Sequence, residues 1–366
     1  MNSILARFFS DIRSICGHEA TFQASLAHHL ALAGVPVSSI HRELSLGDGP
    51  IDVVVKPVDK SMYWDGGTRS AVAIEIKGGA YGSRNALSDV IDADGYCADI
   101  GKLEKLAKTG VECWFICIDV EELGISLSVP ARRRVAAQCG QRNLRFAYYA
   151  QGESNFYVLR QGRLEENPIP DLPTLAVPSP ARWSDCLREF SQLARQASGS
   201  ESTYVGLLYH ALAKAGFESR RLSLETYFSC AAGGSKMQNR PDLCVFRPEV
   251  AGRFNLYKKG IRSQSNDGIK IGSLEALVEV KGSTATQRGS QANFYKDIEA
   301  DIHKLAGWRD RFQASGYLSS GPGRVAPEYV MIGMDNRRTP VDPDLIAQLT
   351  QLAAANGVSY HHVRVA

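Results

Sequence analysis

The sequence predicts an α/β fold in two tandem copies, each a mixed β-sheet flanked by helices. Three features predict it: a repeat after 182 residues, strand-length apolar runs between helical stretches, and a proline-rich stretch between the copies. We therefore expect a first domain at residues 1–164, a linker at 165–181 that contains five prolines, and a second domain at 182–366.

The repeat is strongest where an amphipathic helix is expected. Residues 19–34 align with residues 201–216, and eight of the 16 aligned positions are identical. Both stretches begin with a glutamate, Glu19 in the first copy and Glu201 in the second. Further matches follow in the same order along both copies, so the sequence predicts a duplication.

Each copy predicts the same order of elements. One or two helices precede a strand and a hairpin of strands, and then helix, strand, helix and strand follow. The helix after the hairpin carries an Asp-Ile-x-Lys-Leu segment in both copies. The later elements are strands at 112–119 and 328–335, helices at 130–141 and 343–355, and last strands at 144–149 and 359–365. The first copy adds a short hairpin at 156–164, and the second adds a basic loop at 247–270.

Composition favours a soluble globular protein, with 44% hydrophobic and 22% charged residues. No apolar run has the length of a membrane span, and the N-terminal segment predicts a helix and not a signal peptide. The eight cysteines form no CxxC pair and no cluster with zinc spacing, so we expect reduced cysteines in a cytoplasmic protein.

Charge is unevenly distributed between the copies. The chain as a whole has a net charge of +3, which by itself does not indicate nucleic-acid binding. The first copy balances 18 Lys and Arg with 18 Asp and Glu, whereas the second has 24 against 18, a net charge of +6. The second copy is therefore the better candidate for contact with a polyanion.

The hairpin of each copy carries acidic and basic side chains in a fixed pattern. Glu75 and Lys77 are two apart in an apolar strand, so they point to the same face of the sheet. Asp52 lies in the preceding strand, 23 residues earlier, and the hairpin brings it beside Glu75. The second copy repeats the pattern with Asp242, Glu279 and Lys281, where 37 residues separate the two acids.

Paired carboxylates at this place predict a divalent cation. Two neighbouring carboxylates repel each other, and a cation between them removes the repulsion. Carboxylate oxygens and waters suit Mg²⁺, which usually takes one or two protein carboxylates. The ion can polarise a phosphoryl oxygen and lower the pKa of a bound water, and the nearby Lys can offset charge on the phosphate.

This pattern resembles the PD-(D/E)XK, or restriction-endonuclease-like, nuclease superfamily over nearly all of both copies. There, a helix-borne Glu, an Asp in one strand and a Glu-x-Lys in the next surround Mg²⁺. The second copy has the Pro-Asp pair itself, Pro241-Asp242, whereas one residue separates Pro50 from Asp52 in the first. The resemblance implies that the Asp-Ile-x-Lys-Leu helix carries accessory contacts. It implies as catalytic residues Asp52, Glu75, Lys77, Asp242, Glu279 and Lys281, and as metal ligands the four acids among them together with Glu19 and Glu201.

Basic side chains near the second hairpin are candidates for phosphate contact. Lys236 and Arg240 come just before Asp242, and Arg288 follows Lys281. Lys258 and Lys259 lie in the basic loop. Such contacts position a duplex and carry little sequence information, so we expect DNA as the partner without a predicted recognition site.

These observations favour a Mg²⁺-dependent endodeoxyribonuclease, with Mn²⁺ able to take the place of Mg²⁺. Two similar sites in one chain could act as a pseudo-dimer, one site for each strand of a duplex. The sequence contains no recognisable targeting module, so a protein partner could supply the targeting.

Three alternatives remain open at this point. The chain could be a binding or scaffold module of a DNA-processing or phage-defence complex with little catalysis. It could be an RNase of the same fold, although no aromatic platform for stacking RNA bases is visible. The Glu-x-Lys pairs could also be cross-strand ion pairs on a solvated sheet face.

Overall fold

The computed structural model of the 366-residue chain has two compact units, Met1–Pro178 and Ser179–Leu256 with Gly260–Ala366. The structure describes residues 1–13, 15, 19–46, 48–56, 72–78, 87–120, 126–170, 183–197, 199–228, 240–249, 264–282, 291–318, 326–336 and 339–365. Among these residues, no helix combines the length and the apolar character that crossing a membrane requires.

The first unit has a seven-stranded mixed sheet with its strands in sequence order. The first three strands are antiparallel, the third to fifth are parallel, and the last two return antiparallel. The elements are α1 (Asn2–Ile12), α2 (Glu19–Leu32), β1 (Ile40–Ser45), β2 (Pro50–Val55), β3 (Val72–Gly78), α3 (Leu87–Val90), α4 (Ala98–Ala107), β4 (Glu112–Asp119), α5 (Val129–Gln141), β5 (Arg145–Ala150), β6 (Asn155–Arg160) and β7 (Arg163–Pro168).

Helices cover both faces of this sheet, which gives the unit two hydrophobic cores. Alternation along β3 sends Ile74 and Ile76 to the core beneath α1 and α2. Ala73 faces the opposite core, which is formed with α4 and α5. Because Glu75 and Lys77 alternate with Ile74 and Ile76, they lie on the face that α4 covers.

The second unit has a five-stranded mixed sheet whose strands also follow in sequence order. Its first three strands are antiparallel and its third to fifth are parallel, as in the first five strands of the other unit. The elements are α6 (Trp183–Ala194), α7 (Glu201–Lys214), β8 (Leu222–Leu224), β9 (Leu243–Phe246), α8 (Gln264–Gly272), β10 (Leu274–Gly282), α9 (Gln291–Ala314), β11 (Glu328–Asp335), α10 (Pro343–Ala355) and β12 (Ser359–Arg364).

Matching cap residues start the helix before the fifth strand of each unit. Ser128 precedes α5 and accepts a hydrogen bond from the backbone N–H of Ala131 at 3.4 Å. Asp342 precedes α10 and accepts from the N–H of Asp344 at 2.9 Å. Proline follows both caps within the first turn, where its missing N–H costs no hydrogen bond.

The α/β class with mixed sheets is confirmed, and two predicted boundaries were wrong. Strand β7 runs to Pro168, so the first residues of the predicted linker belong to the sheet of the first unit. Proline is tolerated there because β7 is an edge strand, where a missing N–H breaks no ladder. The end of the predicted basic loop forms helix α8, Gln264–Gly272. The predicted hairpin at 156–164 is present as β6 and β7.

Candidate active sites

The two acids of the first hairpin face each other across neighbouring strands. In the antiparallel pair of β2 and β3, Val53 is opposite Ile74, so one more step of the register places Asp52 opposite Glu75. The Asp52 carboxylate accepts a hydrogen bond from the backbone N–H of Ile76 at 2.7 Å. Burial raises the pKa of Asp52 above its ordinary value, and the hydrogen bond from Ile76 partly offsets this rise.

Glu19 reaches the same place from the first turn of α2. Its Oε2 accepts a hydrogen bond from the N–H of Gly78, the last residue of β3, at 3.3 Å. The Nζ of Lys77 lies 3.8 Å from that oxygen. The predicted residues Glu19, Asp52, Glu75 and Lys77 therefore meet at the carboxyl end of β3.

Helix α4 adds two charged residues that were not predicted as site residues. Asp99 Oδ2 lies 2.9 Å from the Nζ of Lys77. Lys102, one turn further along α4, forms an ion pair with Glu75 and donates to the carbonyl oxygen of Pro50 at 2.7 Å. The repeated Asp-Ile-x-Lys-Leu segment contains both residues, and it was the signal that could have identified them.

In the second unit, the strand Asp and the helix Glu accept hydrogen bonds from the backbone as they do in the first. Asp242 is one register step beyond Leu243, which pairs with Val278, so Asp242 lies opposite Glu279. Its carboxylate accepts a hydrogen bond from the N–H of Val280 at 2.7 Å. Glu201 accepts from the N–H of Gly282 at 3.2 Å.

The ion pairs of the second unit also match those of the first. Lys281 Nζ lies 3.3 Å from Glu201 Oε2 and 3.7 Å from Asp301 Oδ2. Lys304 Nζ donates to Glu279 Oε1 at 2.9 Å. Asp301 and Lys304 come from the second Asp-Ile-x-Lys-Leu segment, on α9.

Each cluster is buried on one side and open on the other. Glu75 is only 2% exposed and Glu279 only 4%. The side chains of Lys77 and Lys281 are 22% and 31% exposed, so solvent reaches the lysine side of each cluster. The Glu-x-Lys pairs are therefore not ion pairs on a solvated face, because helices cover them and the lysines pair with other acids.

Burial raises the pKa values of the acids at both sites. Burial raises the pKa of Glu19 to about 7. Burial and the neighbouring Asp52 raise the pKa of Glu75 to about 9. Burial and Glu201 raise the pKa of Asp242 to about 7, and the pKa of Glu279 is raised in the same way by burial and Asp242. More acidic groups are packed at each site than the lysines neutralise, and an added cation would favour their ionised forms.

No protein-family model, curated protein or solved structure matches the chain. The conclusions about the site therefore depend on the chain's own geometry and on the correspondence between its two units.

The donor atoms at each site suit a hard cation, although the described residues do not form a complete cage. Within the described ranges, no group of three or more His, Cys, Asp or Glu side chains is placed to hold a metal ion. Each site offers two facing carboxyls, Asp52 with Glu75 and Asp242 with Glu279. That set fits Mg²⁺, which binds through one or two carboxylates and keeps several waters.

One of the five residues predicted to contact phosphate lies in the described part of the chain. Arg240 is partly exposed, and its Nη1 lies 3.6 Å from the Oε2 of Glu225. The other four, Lys236, Lys258, Lys259 and Arg288, lie outside the described residues. Contact with nucleic acid therefore stays a prediction for all five residues.

Proposed function

We propose that the protein is a divalent-metal-dependent endonuclease that hydrolyses DNA phosphodiester bonds at one site in each unit. One observation carries the proposal. In both units a helix-borne Glu, a strand Asp and a Glu-x-Lys meet at the carboxyl end of the third strand. In each unit the Asp and the helix Glu accept hydrogen bonds from corresponding backbone N–H groups of that strand. An arrangement in which a strand Asp faces an almost fully buried Glu is costly to keep, and it occurs twice.

The side chains of the first site have separate roles in this proposal. Asp52 and Glu75 would hold Mg²⁺, and Glu19 would complete the set of acids at the site. When bound, the ion supplies a Lewis acid for the phosphoryl oxygen and an acidified water. Lys77 is held by Glu19 and Asp99 at the open side, where its ammonium can offset the charge that develops on the phosphate.

The second site has the same division of roles, with Asp242, Glu279 and Lys281 in the corresponding places. It belongs to the copy with a net charge of +6, which favours the approach of DNA. The tandem copies derive, in this proposal, from a duplicated restriction-endonuclease-like domain. Two sites in one chain allow one protein to cut both strands of a duplex, as a pseudo-dimer.

The alternative role, a nucleic-acid-binding scaffold with little catalysis, has an observation in its favour. Lys102 and Lys304 pair with the buried Glu75 and Glu279, so each of these acids already has a cationic partner without a metal. A scaffold of this kind needs no metal. It would show no stabilisation by Mg²⁺ or Mn²⁺, whereas the nuclease would show it.

Plasmid cleavage tests the nuclease proposal and the pseudo-dimer together. Supercoiled plasmid is incubated with Mg²⁺ and the wild type, Lys77→Ala, Lys281→Ala or the double variant. We expect the wild type to give linear product, each single variant to give nicked circles, and the double variant to lose activity by about 100-fold or more, as when charge stabilisation at a transition state is removed. Lys105→Ala is the control, since Lys105 is an exposed residue of α4 that pairs with Asp48.

Three results would count against parts of this proposal. Full activity in the double variant would show that these lysines do not act at a catalytic site. Linear product from Lys77→Ala would show that the first site is not needed for cutting a second strand. Absence of cleavage by the wild type on duplex, single-stranded and branched DNA, with cleavage of RNA, would favour the RNase alternative.

A further inference from the structure

A lysine from the neighbouring helix holds the buried glutamate at each site. In the first unit, Lys102 of α4 pairs with Glu75 of β3. In the second, Lys304 of α9 donates to the Oε1 of Glu279 at 2.9 Å. The two lysines occupy the same position of the Asp-Ile-x-Lys-Leu segment, so the same contact is present in both units.

This contact occupies an oxygen that a bound cation would need. Glu75 and Glu279 are almost fully buried, and in each the lysine takes one of the two carboxylate oxygens. An ammonium and a divalent cation both bind the lone pairs of a carboxylate. Their like charges and their size prevent them from occupying the same position together. The ion pair and metal binding therefore compete for the same glutamate.

Each lysine also has a second set of partners close by. Lys102 donates to the carbonyl oxygen of Pro50 at 2.7 Å and lies 3.6 Å from the Oδ1 of Asp99. Lys304 lies 4.8 Å from the ring centre of Trp308, within range of a cation–π interaction. A displaced ammonium would therefore keep partial stabilisation without leaving the helix surface.

We propose that Lys102 and Lys304 are internal counter-ions that hold Glu75 and Glu279 in the metal-free protein and are displaced when a divalent cation binds. The inference rests on the metal site of the proposed function and adds a step to it. In the metal-free protein, each buried glutamate keeps a cationic partner. A divalent metal binds there only by displacing the lysine ammonium.

This exchange predicts that removing the lysine strengthens metal binding. A hydrogen bond to a charged group stabilises a protein enough to change a binding constant by about tenfold or more. Without that contact to break, Lys102→Met and Lys304→Met should each bind Mn²⁺ about tenfold more tightly at the changed site. The metal-free variants should also melt at a lower temperature, because the buried Glu75 or Glu279 loses its lysine partner.

Titration calorimetry with Mn²⁺ and melting curves in EDTA and in Mn²⁺ measure both effects without DNA. Each variant has a matched control on its own helix, Lys105→Met on α4 and Lys296→Met on α9, both exposed lysines. Lys102→Gln is a second variant in case the methionine variant does not fold, since glutamine removes the charge and keeps a polar side chain. We expect tighter Mn²⁺ binding and a larger metal-dependent rise in melting temperature in the test variants only.

The possible failures are distinguishable. If the wild type binds Mn²⁺ and the variants bind it equally or more weakly, the exchange is refuted while the proposed nuclease stands. If the wild type shows neither heat of binding nor stabilisation by Mn²⁺, the metal-dependent function and the exchange both fall. An equal gain in the Lys105→Met control would attribute the effect to general charge and would also refute the exchange.

Discussion

Two matched glutamates have a backbone conformation that is unusual for their residue type. Glu43 has a φ of +49° and Glu225 a φ of +51°, in the left-handed region. Glu43 lies between Arg42 and Leu44, whose partners Val53 and Ile51 flank Asp52. The N–H of Glu225 donates to the carbonyl oxygen of Asp242 at 3.4 Å. Both glutamates therefore lie beside the strand acid of their site, where backbone strain is often retained for function.

Substitution of Glu43 by alanine and by glycine separates the side chain from the backbone. Both variants lose the side chain, but only alanine keeps the steric cost of the left-handed conformation. We expect Glu43→Gly to be more stable than Glu43→Ala by about 1 kcal/mol, because glycine adopts positive φ freely. Urea denaturation measures the difference, and equal stability of the two variants would show that the strain is not stored at this residue.

The third strand ends differently in the two units, although its sequence is nearly the same. Gly78 has a φ of +155°, and a Cβ there would lie 2.3 Å from the carbonyl oxygen of Ile118 on β4. At the corresponding Gly282, a Cβ would meet its nearest atom, in Tyr204, at 3.7 Å, an ordinary contact. Strand β3 is therefore packed more closely against its parallel neighbour at the site than β10 is.

An alanine at each of these glycines should have unequal effects. Gly78→Ala should destabilise the first unit by about 1–3 kcal/mol, the usual cost of forcing an extra methyl group into a packed place. It should also weaken the hydrogen bond from this backbone N–H to Glu19. Gly282→Ala should change stability little. Thermal unfolding of the two variants checks this, and a greater loss in Gly282→Ala would contradict it.

Both units contain acidic groups that stay protonated at pH values above their ordinary pKa. The pKa values of Glu19 and Asp242 are raised to about 7 and that of Glu75 to about 9, in each case first by burial. The unfolded chain releases these protons near pH 4–5, so between there and about pH 9 the folded state binds more protons than the unfolded state. The contribution of these groups to stability therefore decreases as the pH rises.

This sign predicts how the metal-free protein responds to pH. In EDTA, the wild type should lose more stability between pH 5.5 and about pH 8.5 than the double variant Glu75→Gln with Glu279→Gln, which has no charge to acquire at these positions. Mn²⁺ should stabilise the wild type more at the higher pH, because the metal binds the ionised carboxylates. Melting curves across pH measure both effects, and identical pH dependence in the wild type and the double variant would contradict the prediction.

Much of the architecture follows from patterns within short stretches of the sequence. Strands Glu112–Asp119 and Glu328–Asp335 have the predicted bounds, and the helix that ends at Gln141 begins one residue before the predicted start. The meeting of Asp52 with Glu75 also followed from the sequence, because period-two alternation and a hairpin are local properties of the chain. Comparison of the two copies strengthened each of these predictions, since a chance match seldom occurs twice.

Contacts between distant elements were decided by packing. The repeated Asp-Ile-x-Lys-Leu segment marks Lys102 as a candidate, but its pairing with Glu75 depends on how α4 lies across β3. The left-handed φ of Glu43 and the assignment of residues 165–168 to strand β7 depend likewise on neighbouring strands. Periodicity encodes which face of an element is buried, whereas the partner on that face is set only when the elements pack together, and in both units that step placed a lysine against the buried acid.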